Sequence, residues 1–505
     1  MSKPTINHDL GCLPASNQKT IDALAAGNYG FARWADGLYV IRVLEKEQDG
    51  PIKRAKGSIV LVPASPQLIM ELATDAAVHR KWDLRSNDYR VINCPQIVAN
   101  GILARGYWPE FPLLTGIVEA ATLDLDGREI STPGHDAKSG LYVATAAQLK
   151  PLKGKAGRAR GTESIRVLLR LMRGFTFVSD ADSSAALAAV MTSLLRRLLP
   201  AAPMFGITAP TPGTGKTMLA EAVSIIANGR RPAVMSLGSD ENEFAKRLNG
   251  VLLAGDSMLG IDNITRPIGN EDVLNQLLSQ PVLRFRPLGG SGMVSAPTNI
   301  LVMTTGNNLA VVGDAKRRTV LIRLDAREER PEQRVFDWDV LSEARAQRDA
   351  LIRAALEISK SYIEIGCPAV DAKPYGSFSD WDKMVRRPLI WLGQPDPIQT
   401  ADELREQDPD IETMRAMFAA WREIYSDQVV TAPKVVKDGL EYGLAQHVYP
   451  DLHDALQLAC MGKIDARRLG NWLRFHKNRI IDGFQLMQHS YDGHLRQSRW
   501  KVVAI

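Results

Sequence analysis

No run of 18 or more apolar residues occurs in this chain, so the signature of a membrane-spanning helix is absent. The opening stretch, MSKPTINHDLGCLPASNQ, lacks the apolar core of a signal peptide. Cysteine is scarce, and Cys12, Cys94, Cys367 and Cys460 stand far apart with no C-x-x-C spacing. That argues against a disulfide framework or a cysteine-ligated zinc site and predicts a reducing, cytoplasmic setting. The eight histidines show no metal-ligand spacing, and no repeat or low-complexity segment interrupts the chain.

What is present is an ordinary globular composition, 45% hydrophobic and 24% charged, spread over 505 residues. That length predicts three or four domains rather than one core. The net charge of +5 is unevenly placed: residues 461–505 hold nine Lys/Arg against three acids, a local charge of +6. Such concentration points to a polyanionic partner.

The first 30 residues are polar and predict a poorly ordered N-terminus. Residues 31–165 mix short strand-like runs with turn signals and predict an α+β domain of unknown role, with LKPLKGKAGRARGT (149–162) as a linker. Two apolar stretches at helical spacing follow, with Asp180 or Asp182 as candidate N-caps. From residue 203 strands alternate with helices, the pattern of a parallel sheet of the α/β class, so 166–335 reads as one α/β domain. The strands expected there include PMFGITA, RPAVMSL, VLLAGDSMLGI, TNILVMTT and RRTVLIRLD. Residues 336–430 read as helical, and 431–505 as a helix followed by a hairpin.

APTPGTGKT (209–217) joins the first of these strands to a helix. It departs from the P-loop pattern G-x-x-x-x-G-K-[ST] at Pro210, where glycine is expected. Glycines let such a loop fold into a nest of N–H groups backed by the dipole of the next helix. Pro212, Gly213, Thr214, Gly215, Lys216 and Thr217 are therefore the candidate phosphate ligands, with Lys216 reaching the β/γ-phosphates and Thr217 holding Mg²⁺. Pro210 offers no N–H, but it lies outside those amides. The competing reading is a Gly/Pro turn with an exposed lysine.

In MLGIDNI (258–264) the apolar run ends in Asp262, suited to hold Mg²⁺ through water, and Asn263 stands where ATPases usually carry a water-activating carboxylate. Either Asn263 orients the water or the base comes from elsewhere, for example Asp256 or Glu271. A third strand ends in Asn307 and Asn308, where a polar side chain could sit between the two other strand ends and position water. Arg317 or Arg318, in GDAKRR, is placed to act as an arginine finger on a neighbouring subunit's nucleotide, although alone such a pair is a common solvated surface.

Together, APTPGTGKT, GIDNITRPIG, LSQPVLRFRPLGGSGMVSAPTN, TTGNNLAVVGDAKRRTVLIRLD and FSDWDKMVRRPLIWLGQPDP resemble the AAA+-type replicative helicases of superfamily 3. The likeness is nearest to the helicase part of phage, plasmid and integrative-element primase-helicases, and it runs from about residue 80 to the C-terminus. It implies a P-loop AAA+ or RecA-like core over 166–335 and a hexameric ring, with ATP between subunits and single-stranded DNA in the channel. It also gives VLRFRPLGGSGMVSAPTNI (282–300) the role of a hairpin tracking the DNA backbone. Arg284 and Arg286 alternate with Phe285 and so share one face, whereas Gly289, Gly290 and Gly292 replace the basic residue usual at the tip.

The basic tail reads as a winged helix that engages duplex DNA. Asp465 is a fair N-cap for a helix through about Lys477. Arg467, Arg468, Arg474 and Lys477 on that helix, with Arg499 on the following hairpin, are the candidate DNA contacts. Asp124 and Asp126, at the spacing of a metal-dependent primase, are better read as a hairpin turn because no other acidic or histidine set completes a site. The sequence thus predicts an ATP- and Mg²⁺-dependent helicase of a phage or mobile element, with a separate primase or initiator as a possible partner. The alternative is an ATP-switched origin-binding or loader protein that does not unwind.

Overall fold

In the computed structural model, residues 3–144, 157–288, 292–328, 330–333, 339–376, 378–401, 409–444, 446–492 and 497–505 are described. The chain divides into two compact units, Met1–Ala401 and Asp402–Ile505. Among the described residues no helix is long and apolar enough to cross a membrane.

The first unit is mixed α/β. Its six-stranded sheet runs in the order Thr319–Arg323, Met204–Ala209, Leu301–Asn307, Met258–Ile264, Ala233–Met235 and Ile52–Lys53. The first five strands are parallel, and Ile52–Lys53 pairs antiparallel at the edge. Parallel strands covered on both faces need continuous apolar runs. Accordingly, all but the last residue of Leu301–Asn307 and all but Thr208 of Met204–Ala209 are buried. The helix Asp180–Leu195 is almost wholly buried, because small alanines allow neighbours to approach on every side. Trp381 fills the core beside it, its Nε1 donating to Thr192 Oγ1 at 2.8 Å.

The N-terminal residues depart from expectation. Thr5–Asn7 forms a strand parallel to Val78–Asp83, and Leu13–Ala26 is a helix. Ser16, Thr20, Ile21, Ala23 and Leu24 of that helix are buried, a stripe obscured in the sequence by polar residues that end up inside. The region expected as a separate 31–165 domain is also built into the same unit. It supplies the edge strand Ile52–Lys53, Trp34 Nε1 donates to the Leu253 carbonyl at 3.1 Å, and Leu61 N–H donates to Ala254 at 2.9 Å. Arg54 reaches across to Asp256, Nη2 to Oδ2 at 2.6 Å, with both side chains buried.

Smaller differences have local causes. Ser179, not Asp180 or Asp182, caps the Asp180–Leu195 helix. Asp182 is buried, where it accepts from Arg323 N–H at 2.8 Å and from its Nε at 2.9 Å. Of the expected linker, 149–156 lies outside the described residues, and the remainder enters the helix Arg158–Met172. Gly161 is packed beneath Leu392, so a Cβ there would meet the leucine methyls at 2.9 Å and require them to shift. The run VLLAGDSMLGI is not one strand, since Glu241–Leu253 is a helix and the strand begins at Met258. Asp124 and Asp126 do sit in a tight turn, where Asp124 Oδ1 accepts the N–H groups of Asp126 and Arg128 at 3.1 and 2.9 Å.

The expected helical segment 336–430 is split. Val340–Ala346 and Arg348–Glu364 pack in the first unit, whereas Pro409–Tyr425 gives Phe418 and Trp421 to the core of the second. That second unit adds helices Ala432–Gly439, Pro450–Ala459 and Ala466–Phe475. Its sheet is ordered Val430–Thr431, Gln497–Ala504, Phe484–Asp492 and Ile480–Ile481. Asp465 caps the Ala466–Phe475 helix, accepting from Arg468 N–H at 2.8 Å.

Removing one partner of a buried ion pair leaves the other charge desolvated. Asp256→Ala is therefore expected to cost about 3–5 kcal/mol in urea unfolding. The double replacement Arg54→Met with Asp256→Leu should recover most of that loss.

Candidate functional site

The strand Met204–Ala209 passes through a loop into the helix Lys216–Asn228. Gly213 and Gly215 take left-handed φ values of 78° and 91°, which any Cβ would resist. Phe175 closes over Gly215, so a Cβ there would also meet its ring at 3.1 Å. These constraints explain why glycine recurs in PGTGKT. Lys216 folds back across the loop, its Nζ donating to the Thr211 carbonyl at 2.9 Å and to Thr214 Oγ1 at 3.1 Å. Partial burial lowers the pKa of its ammonium, and the nearby Asp262 opposes that shift.

Asp262 lies near the end of Met258–Ile264, and three donors converge on its Oδ1. They are Thr217 Oγ1 at 3.3 Å, Asn263 N–H at 3.0 Å and the Thr305 hydroxyl from the neighbouring strand. Thr305 Oγ1 in turn accepts the Asn263 N–H at 3.2 Å. The sheet register shifts between Ile261 and Ile264, and Asn263 sits in that irregularity at φ 55°. Asn is among the few side chains that enter the left-handed region readily, by local hydrogen bonding. The residue that looked anomalous in the sequence therefore suits the backbone at this position. Thr305 was not singled out from the sequence, because a threonine inside TNILVMTT has no local mark of its partner.

The Leu301–Asn307 strand lies between the strands bearing the loop and Asp262, with Asn307 in register with Ala209. Asn307 is exposed at that strand end. Asn308 turns away at φ 47°, its N–H donating to the Ala209 carbonyl at 3.0 Å. The two other acids considered as bases are engaged elsewhere. Asp256 precedes the start of the strand that carries Asp262 towards its far end. The four residue steps of strand from Met258 to Asp262, at about 3.3 Å each, alone span roughly 13 Å. Burial also pushes the Asp256 carboxyl pKa up, against the pull of Arg54. Glu271 is buried, accepting Gly269 N–H at 2.8 Å while Arg266 approaches its other oxygen at 3.5 Å.

Arg317 and Arg318 differ sharply. Arg318 has an 11% exposed side chain that donates to the Asn275 carbonyl and pairs with Asp314, each at 2.7 Å. Arg317 is 55% exposed and contacts Asp314. A cavity of about 270 Å³ borders the loop, lined by Gly174, Phe175, Gly213, Thr214, Gly215, Met218, Asp339 and Val340.

Val282–Phe285 and Val294–Pro297 form an antiparallel hairpin. Leu283 and Phe285 are buried, and Arg284 and Arg286 share the exposed face. Gly289 and Gly290 lie outside the described residues. In the second unit Arg467, Arg468, Arg474, Lys477 and Arg499 are all exposed. Arg468 Nη1 donates to the Cys460 carbonyl at 2.9 Å, Arg474 Nε to Gly470 at 3.1 Å and Lys477 Nζ to Gln488 Oε1 at 3.1 Å.

No protein-family description matches the chain, and no curated protein does. Among solved structures it is similar to an A-form apo structure of the NrS-1 C-terminal region, at 12% identity over 87% of this chain and 100% of that one, with a TM-score of 0.33. An apo structure of residues 305–718 of the same region gives 11% identity over 87% of this chain and 99% of that one, with a TM-score of 0.35. Likeness that distant carries no argument about fold or activity.

Asn263→Val should destabilise the first unit by about 1–2 kcal/mol, since a β-branched residue resists the left-handed region. Asn263→Gly should be close to neutral. Thermal unfolding of the two variants measures the difference.

Proposed function

We propose that the chain is a P-loop ATPase that drives DNA unwinding as a ring of identical subunits. The observation that carries this reading is the meeting of Lys216, Thr217 and Asp262 at the carboxyl ends of parallel strands, with Asn307 on the strand between. Ligands of open α/β sheets bind at that edge. The glycine loop supplies amides for phosphate oxygens, and the dipole of the Lys216–Asn228 helix favours their negative charge.

Lys216 exchanges its contacts with Thr211 and Thr214 for the β/γ-phosphates. Thr217 and Asp262 are hard oxygen donors 3.3 Å apart, a pair suited to Mg²⁺ and its water shell. The bound ion would neutralise charge developing on the phosphates. Thr305 keeps the Asp262 carboxylate turned towards Thr217. Asn307 and Asn263 offer amides that orient water but accept no proton from it. The apolar cavity walled by Phe175, Met218 and Val340 takes the nucleotide base.

Between the two arginines, exposure favours Arg317 as the finger offered to a neighbouring subunit, while Arg318 braces its own fold. DNA phosphate contacts fall to Arg284 and Arg286 on the hairpin. In the second unit the exposed face of the Ala466–Phe475 helix, with Arg467 and Arg474, engages duplex, helped by Arg468, Lys477 and Arg499.

Strand displacement and ATP hydrolysis, measured together, test the reading. Lys216→Ala should abolish both. Arg317→Ala should retain nucleotide binding but lose hydrolysis by about 10³-fold or more, whereas Arg318→Ala should chiefly lower the melting temperature. DNA-stimulated hydrolysis without unwinding would favour an ATP-switched origin-binding or loader protein. Absence of nucleotide binding by the wild type would overturn the proposal.

A further inference from the structure

The first unit carries a second feature with nucleic-acid chemistry, remote in sequence from the nucleotide loop. Val78–Asp83 and Asp88–Ile92 form an antiparallel ribbon anchored at its base by Thr5–Asn7. The ribbon and its turn hold Arg80, Lys81, Arg85 and Arg90 against only Asp83 and Asp88. Buried His79 faces inward, its Nε2 donating to the Ala73 carbonyl at 3.0 Å. Strand alternation then turns Arg80 and Trp82 outward. Their cross-strand partners are Val91 and Tyr89, so those four residues share the outer face.

That face is a prepared aromatic platform. Trp82 and Tyr89 meet edge-on with ring centroids 5.1 Å apart, and the Tyr89 hydroxyl donates to Asp9 at 2.9 Å, which fixes its ring. Trp82 is 40% exposed, and Leu84 at the turn and Val91 are 88% and 68% exposed. Arg90 is paired with Asp83, but Arg80, Lys81 and Arg85 are exposed and form no ion pair among the described residues.

We infer that this ribbon binds single-stranded nucleic acid, with an unpaired base stacking on Trp82 beside the Tyr89 ring and phosphates held by Arg80 on the same face and by Arg85 at the turn. Stacking on aromatics together with a cationic track is how sequence-tolerant single-strand binding is built. A duplex hides its base faces and could use only the charges. The core of a protein–protein patch is depleted of charged residues, whereas here cations flank the aromatic pair. The site is separate from the proposed ATP chemistry and needs no nucleotide.

Fluorescence anisotropy of a labelled oligothymidylate with the full chain, in the absence of ATP, tests the inference. Trp82→Ala should weaken binding about tenfold, as for loss of one base-stacking aromatic, and Trp82→Phe should retain most of it. Arg80→Glu with Arg85→Glu should weaken binding and flatten its salt dependence. An oligonucleotide bearing 5-iodouracil should crosslink to the 78–92 peptide. Melting temperatures equal to wild type exclude misfolding as the cause of a loss. Wild-type affinity in both variants, equal competition by duplex, or crosslinks confined to other segments would overturn the inference; the first would make the ribbon a protein-docking surface. DNA-independent hydrolysis that depends on Lys216 should be unaffected by Trp82→Ala, so this inference and the ATPase reading fail separately.

Discussion

The in-step pairing of three parallel strands is the constraint on which the site depends. Ala209 lies opposite Asn307, and Ile261 lies opposite Thr304, so the chain leaves all three strands at one edge of the sheet. Parallel strands need crossovers, and each crossover here spans dozens of residues. The sheet therefore gathers Lys216, Asp262 and Asn307 from positions that local contacts alone could never bring together. The apolar runs that make the strands parallel and buried are also what fix the edge where the polar residues emerge.

The same constraint explains the two residues that break local rules. Gly215 adopts a left-handed backbone beneath Phe175 at the position from which the Lys216–Asn228 helix starts. Asn263 adopts one where the ladder slips, and Thr305 closes the slip by accepting its N–H while donating to Asp262. Backbone strain persists only where surrounding structure over-determines it, and both positions are held by residues distant in sequence, Gly215 by Phe175 and Asn263 by Thr305. A carboxylate at 263, the residue usual at that place in ATPases, would have to accept that backbone.

The N-terminal residues contribute more than was expected of them. Polar residues such as Ser16 and Thr20 mask the buried stripe of the Leu13–Ala26 helix, and Thr20 is buried because its hydroxyl bonds back to the Ser16 carbonyl at 2.7 Å. The edge strand Ile52–Lys53 is only two residues long, too short for any periodicity to register. Arg54 and Asp256 read as unrelated charges until the fold buries them together. By contrast, the alternation of strands and helices from residue 203, the turn at Asp124 and the cap at Asp465 were legible, because each rests on contacts within a few residues.

By itself the sequence determined the glycine loop, the strand ends bearing Asp262 and Asn307, the exposed pairing of Arg284 with Arg286 and the basic helix with its cap. These follow from local backbone preference, side-chain period and charge. Only the tertiary structure decided that Thr305 braces Asp262, that Arg318 is tied down while Arg317 is exposed, and that Asp256 and Glu271 are committed elsewhere. It alone also set Trp82 against Tyr89 beside uncommitted cations. Each of those outcomes depends on which distant residue fills the space beside a side chain, and only the packed chain supplies that neighbour.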